Sequence, residues 1–272
     1  MGTSSKTPPV GLAIAGSDSG AGAGIQADIK TFSALGVYAA TAVTAVTAQN
    51  TKGVSRVQIL QPDMVEAQIA AVTSDFVVRA TKVGMLGSFE NVSLVARLAS
   101  EGQLEKLVVD PVMVAASGDR LMNPGVDRAY ADLLFPNTLL LTPNLREAEV
   151  LLKATITSRQ EMIEAAFTIR STGPTFVLLK GGHFDGEESV DLLCDGNSVL
   201  ELRAPRIATA NLHGTGCTLS SAIAAHLAKG FDLVSAVKAG KAYVQRSIKG
   251  SALWAIGSGS GPLDHFNWSE TS

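Results

Sequence analysis

Residues 10–47 read VGLAIAGSDSGAGAGIQADIKTFSALGVYAATAVTAVT. This stretch decides the fold. Val10–Ala15 is a short apolar run ending at Gly16, the pattern of a strand buried on both faces. From Ile25 to Leu35 the spacing turns helical, and Ile25, Ile29, Phe32 and Leu35 share one face. Gly36 stops that helix. Val37–Thr47 is rich in Val and Thr, which favours a strand. Its TAVTAVT stretch is a local echo, too short for an internal repeat. Strand, glycine turn, helix and strand follow one another, as in an α/β chain.

The alternation continues outward from there. Val54–Leu60 reads as a short strand of a flap, and Pro62 opens a helix carried on by Met64 to Val72. Arg79–Val83 and Lys106–Asp110 read as strands around a helix at Ser88–Ser100. Asn123-Pro124 starts another helix, Leu139–Thr142 is a strand, and Asn144 and Ser158 open two more helices. Phe176–Lys180 is a strand, Val190–Leu193 and Val199–Arg203 form a hairpin, and Thr215–Lys229 and Leu233–Lys249 are helices. The closing Gly257–Ser272 is glycine-rich and polar. This succession predicts an α/β fold with a mostly parallel sheet and helices for both faces. Ligands are then expected outside the carboxyl ends of the strands. No linker divides the chain, so residues 10–266 are expected to form one domain, with tails at 1–9 and 267–272.

Composition narrows the function. The chain has 272 residues, 46% hydrophobic and 17% charged, with a formal net charge of −3. There is no basic excess to neutralise a nucleic-acid backbone. No apolar run reaches the roughly 18 residues of a membrane span. Two cysteines, Cys194 and Cys217, make neither a disulfide framework nor a metal-ligand pair. MGTSSKTPPV has no apolar core of a secretory signal. A reducing cytoplasm is the expected compartment, without nucleic-acid or membrane partners.

Four segments can carry chemistry. The first is the turn Gly16-Ser17-Asp18-Ser19-Gly20-Ala21-Gly22-Ala23-Gly24, which lets backbone approach a ligand closely. Its G-x-G-x-x-A spacing resembles a dinucleotide fingerprint, but no acid occurs between Asp28 and Asp63, where that site needs one. The second is His213-Gly214-Thr215-Gly216-Cys217-Thr218 at a helix start. Free amides and the helix dipole suit a phosphate there, and they favour a thiolate at Cys217. A glycine-rich cap with an inert cysteine is the structural alternative. No G-x-x-x-x-G-K-[ST] occurs, which excludes a P-loop. The third is Thr142-Pro143-Asn144-Leu145-Arg146-Glu147. Asn144 and Glu147 spell a capping box, and the same pair can approach Mg²⁺ through water. Fourth, Asp110-Pro111-Val112-Met113 and Lys180-Gly181-Gly182-His183 each follow a strand. They offer an acid for a metal and a cation for phosphate.

Together and in this order the motifs are specific. The opening run, then KVGML, DPVMVAASGD, LTPNLREAEVLL, LLKGGH, HGTGCTLSSAIAAHLAKG and GSGSGPLDHF, resemble the hydroxymethylpyrimidine/phosphomethylpyrimidine kinases of thiamine biosynthesis. The resemblance covers about residues 10–266. It implies a single ribokinase-like α/β/α three-layer domain, related to pyridoxal kinases and commonly a homodimer. It implies that Gly16, Asp28, Gln49, Met85 and Val112 bind the pyrimidine. Asp28 would reach a ring amino group or hydroxyl, and Gln49 would supply a donor–acceptor pair. No aromatic residue stands among these positions. Gly214, Thr215, Gly216 and Cys217 would form the anion hole, with Cys217 at the position of the base. Asn144, Glu147 and Asp110 would serve Mg²⁺ and ATP, and Lys180 the ATP phosphates. The implied reaction is two successive phosphorylations at one site. Two other functions stay open, a pyridoxal or pyridoxine kinase and a non-catalytic pyrimidine sensor. One departure is visible. The family's first loop usually reads S-D-P-S-G-G-A-G, and here it reads S-D-S-G-A-G-A-G.

Overall fold

Strand β1 (Val10–Asp18) runs past its expected end at Ala15, because Ser17 and Asp18 keep pairing with β2 (Tyr38–Asn50) across a register shift. That extension carries the first glycine turn out to the sheet edge before α1 (Gly24–Ala34) begins. A computed structural model describes residues 7–112, 126–182 and 186–270. Met113, the Asn123-Pro124 helix start and His183 lie outside those residues.

The order continues β3 (Gly53–Ile59), α2 (Pro62–Thr73), β4 (Val78–Val83), α3 (Phe89–Ser100) and β5 (Val108–Val109). Then come α4 (Val126–Ala129), β6 (Leu140–Leu141), α5 (Leu145–Leu152), α6 (Arg159–Ser171) and β7 (Phe176–Leu179). The hairpin β8 (Glu188–Cys194) and β9 (Val199–Pro205) precedes α7 (Thr215–Ala228) and α8 (Leu233–Ser251). One 9-stranded sheet has the order β3-β2-β1-β4-β5-β6-β7-β8-β9. Pairing is parallel from β2 through β7, and β3 and the β8–β9 hairpin add antiparallel partners at the two edges. Chain order departs from β1 in both directions, to β2 on one side and β4 on the other. A cleft is expected at that switch point.

Alternation along β1 makes the layers. Leu12 and Ile14 face a core with Ile69 of α2, Val95 of α3 and Ala166 of α6. Ala13 faces the other core, with Phe32 of α1, Ile223 of α7 and Val237 of α8. Successive side chains on a strand point to opposite faces, so both sides of the sheet are covered. Helix α7 is buried along its length from Thr218 to Ala228, because it lies between the sheet and α8. Its alanines keep it thin enough for that slot.

The expected helix starts hold physically. Asn144 and Glu147 exchange a full capping box at α5, as do Ser158 and Glu161 at α6. Ordered structure extends past the expected boundary at 266. Asp264 accepts from the amides of Trp268 and Ser269, and Trp268 stacks on Trp254 and Phe266.

Candidate active site

Six strand ends converge on one cavity of about 680 Å³. Gly16 and Gln49 reach it from β1 and β2, Met85 follows β4, and Val112 follows β5. Asp110, Asn144, Glu147 and Lys180 line it after β5, β6 and β7. The start of α7 joins the two groups. Gly214 lies against Gly22 of the first loop, and Gly216 lies beside Lys180 and Asp110.

Asp18 organises the first glycine turn. Its carboxylate accepts from the amides of Gly20 (2.8 Å), Gly22 (3.0 Å) and Ala23 (2.8 Å). Its other partner is His213, with Nε2 at 3.0 Å. Burial opposes ionisation of Asp18, but the donors from His213, Ala23 and Gly20 outweigh it and hold the carboxyl below its usual range. Gly22 has no room for a side chain, since a Cβ would collide with the His213 imidazole. Gly214 caps α7 at φ +82°, in the left-handed region, where a Cβ would collide with the Gly22 carbonyl. The first turn of α7 lines the cavity and has amides without intrahelical partners, of which that of Thr215 donates to the Leu212 carbonyl.

At the other end Lys180 Nζ stands 3.0 Å from Asp110 Oδ1. Burial works against the lysine charge, and Asp110 and Glu147 overcome it, so the group stays cationic. Asn144 N donates to Glu147 Oε2 at 2.7 Å, and Glu147 N donates to Asn144 Oδ1 at 2.9 Å. The capping box is formed, and both of its residues line the cavity. Among the described residues no cluster of three or more His, Cys, Asp or Glu could hold a metal ion by itself. Asp110 and Glu147 still fit Mg²⁺. That ion uses one or two carboxylates and takes its remaining oxygens from phosphates and water.

Asp28 and Cys217 stand apart from the other candidates. Asp28 is not among the cavity-lining residues. It is fully buried, accepts from Lys82 Nζ at 2.8 and 2.9 Å, and accepts from Ser221 Oγ at 2.6 Å. These bonds join α1 to β4 and α7. Cys217 does line the cavity, yet its thiol is not poised to ionise. Burial pushes it up to about 11, and the Lys82 charge only partly offsets this. Desolvation thus outweighs the Lys82 charge and raises the thiol above its usual range.

The remaining candidates are brought together as expected. Gly16, Gln49, Met85 and Val112 share the cavity with Asp110, Asn144, Glu147, Lys180 and Gly214 through Cys217. Five contributors escaped the sequence reading. His213 and Asp18 were visible in their motifs but had no assigned partner. Lys82 had a signal, a lysine next to Val83 at the end of a strand read as central. The Lys241–Asp191 pair (2.6 Å), on the cavity wall, had none, since it joins α8 to the distant β8.

An α/β/α domain with a phosphate-suited helix start, a lysine–carboxylate pair and one cavity at the strand ends is a ribokinase-like kinase. A family model described as phosphomethylpyrimidine kinase matches residues 18–264, and the chain belongs to that family. A hydroxymethylpyrimidine/phosphomethylpyrimidine kinase of Rhizobium meliloti is 50% identical over 95% of this chain and 97% of its own length. A phosphomethylpyrimidine kinase structure from Clostridium difficile has 41% identity and a TM-score of 0.78, covering 88% of this chain and 99% of that one. The pyridoxal kinase of Staphylococcus aureus, solved with AMP-PCP and pyridoxal, has 35% identity and a TM-score of 0.88 over 96% of this chain and 95% of its own.

Proposed function

We propose that this protein transfers phosphoryl groups from MgATP to 4-amino-5-hydroxymethyl-2-methylpyrimidine and then to the resulting monophosphate. One observation carries the reading. A single cavity holds both a pyrimidine-sized polar reader, Gln49 beside Met85 and Val112, and a phosphate end made by Lys180 and the α7 start. The family membership and the relatives' names support it.

Phosphoryl transfer needs positioning and charge stabilisation more than covalent help. The amides of Gly216 and Cys217, at the cavity-lining start of α7, serve the charge that spreads over the transferring group. Lys180, kept cationic by Asp110, adds a fixed positive charge beside them. Asp110 and Glu147 are the residues that would hold Mg²⁺, and bound Mg²⁺ neutralises phosphate charge. In the first transfer the hydroxymethyl oxygen forms the new O–P bond, the bond to the leaving diphosphate breaks, and the hydroxyl proton goes to solvent. In the second transfer the acceptor is already a phosphate anion. The homodimer implied by the resemblance belongs to the same reading and is checked by light scattering.

A pyridoxal kinase is the second reading, favoured by the Staphylococcus aureus likeness. Coupled ADP release with hydroxymethylpyrimidine, its monophosphate and pyridoxal, each with Mg²⁺, decides. Turnover of both pyrimidines ahead of pyridoxal is expected. Pyridoxal turnover alone would replace the proposal, and ligand binding without ADP release would make the protein a sensor.

A further inference from the structure

His213 carries no role in the proposed transfer, yet its imidazole sits between two cavity-lining residues. Nε2 lies 3.0 Å from Asp18 Oδ2 and 3.3 Å from Gln49 Nε2. On the other side of the carboxamide, Gln49 Oε1 lies 3.2 Å from Thr47 Oγ1. The oxygen and nitrogen of a carboxamide are alike in shape, and their partners decide which is which. Both partners here give the same answer.

Asp18 is ionised and can only accept, so His213 Nε2 must carry a hydrogen and donate to it. This holds for the neutral Nε2–H tautomer and for the imidazolium alike. The Gln49 atom facing that N–H must therefore be an acceptor, the oxygen. Thr47 has one hydroxyl proton, and the carbonyl of Ser17 takes it at 2.9 Å. The Gln49 atom facing Thr47 Oγ1 then meets a lone pair and must be a donor, the nitrogen. The Gln49 backbone is held in place as well. Ser19 Oγ donates to the Gln49 carbonyl and accepts from its amide, each at 2.8 Å.

We infer that His213 and Thr47 fix the polarity of the Gln49 carboxamide, with its oxygen toward His213 and its nitrogen toward Thr47, and so set which ligand edge the cavity accepts. Each atom keeps one unused site, a lone pair on the oxygen and a hydrogen on the nitrogen. A ligand edge with an amino donor next to a ring-nitrogen acceptor pairs with both. An edge of opposite sense, a carbonyl next to a ring N–H, meets like against like. His213 and Thr47 are positioning residues, acting through Gln49. The inference rests on the proposed pyrimidine reading and adds the source of its selectivity.

The test compares two ligands by calorimetry, the 4-amino-5-hydroxymethylpyrimidine and its 4-oxo analogue, whose edge polarity is reversed. The wild type is expected to prefer the amino ligand. Thr47→Val removes one pin and leaves the other intact. It should cut the amino-to-oxo preference by about threefold or more, as the carboxamide is then held from one side only. His213→Ala should do the same, and should raise KM for the pyrimidine by a larger factor than it raises KM for ATP. Thr47→Ser keeps the hydroxyl and should restore the preference. Melting curves identify any variant that fails to fold, and the Thr47 pair then decides. Equal weakening of both ligands, or an unchanged preference, overturns the inference. A wild type that binds neither ligand overturns the proposed function instead.

Discussion

Two lysine–aspartate pairs lie in the same molecule and do different work. Lys82 and Asp28 are both 0% exposed, and Ser221 completes their hydrogen bonding. Lys180 and Asp110 keep the lysine 15% exposed, on the wall of the cavity. The first pair ties α1, β4 and α7 together beneath the α7 start. The second presents its charge to whatever enters. The chemistry of the groups is identical, so their roles follow from access. A pair with no path to ligand is part of the frame, and a pair with one is part of the site.

Breaking the buried pair tests this contrast hardest. Lys82→Met should lower the unfolding free energy in urea by about 3–5 kcal/mol, because it strands a carboxylate in the interior. The double variant D28N/K82M should recover part of that loss. A stable single variant would remove the distinction. Lys180→Ala should do the opposite, with kcat falling about 100-fold or more and stability changing by no more than about 1 kcal/mol. Stopped or steady-state ADP release, with a parallel melt, measures both. If Lys180→Ala unfolds the protein while retaining activity per folded molecule, the roles are reversed.

Smaller effects sharpen the site itself. Gln49→Ala should raise KM for the pyrimidine about tenfold and leave KM for ATP unchanged. Cys217→Ala should slow both phosphorylations alike, by about threefold or less, since a neutral thiol is not the base. A loss confined to the first phosphorylation would restore the base role. Alkylation supplies the pH arm. With the Cys217 thiol pushed up to about 11, labelling by iodoacetamide should stay slow through neutral pH and rise toward pH 11. Linkage runs the same way. The folded state holds this proton more tightly than an ordinary thiol of 9.0, so the associated stability is intact below pH 9 and fades as pH climbs through 11.

Much of the frame was legible in the sequence. The strand–turn–helix start, the two capping boxes and the glycine turn before α7 all follow from local rules, and local rules need no partner. The site was legible where its residues follow strand ends, as Gln49, Asp110, Asn144 and Lys180 do. The burial of Asp28 was not legible, because helical position alone does not say which way a side chain faces when α7 covers that face. At Cys217 the helix terminus is visible in sequence and the desolvation opposing it is not. His213 needed Asp18, which is distant in sequence, before its chemistry meant anything.

The segment around residues 257–261 has a consequence for how the molecule is assembled. Thr51, at the β2–β3 turn, accepts from Ser260 N at 3.0 Å, and Thr51 Oγ1 accepts from Gly259 N at 3.2 Å across a separation of 208 residues. The neighbouring Gly261 carbonyl accepts from His213 N at 3.1 Å. Bringing such distant partners together has a large loop-closure entropy cost and no local reward along the way. Exposed contacts of this kind, with little buried apolar area behind them, are where local opening is cheap. Ser260 lines the cavity, so amide hydrogen exchange at Gly259 and Ser260 should slow when the cavity is occupied.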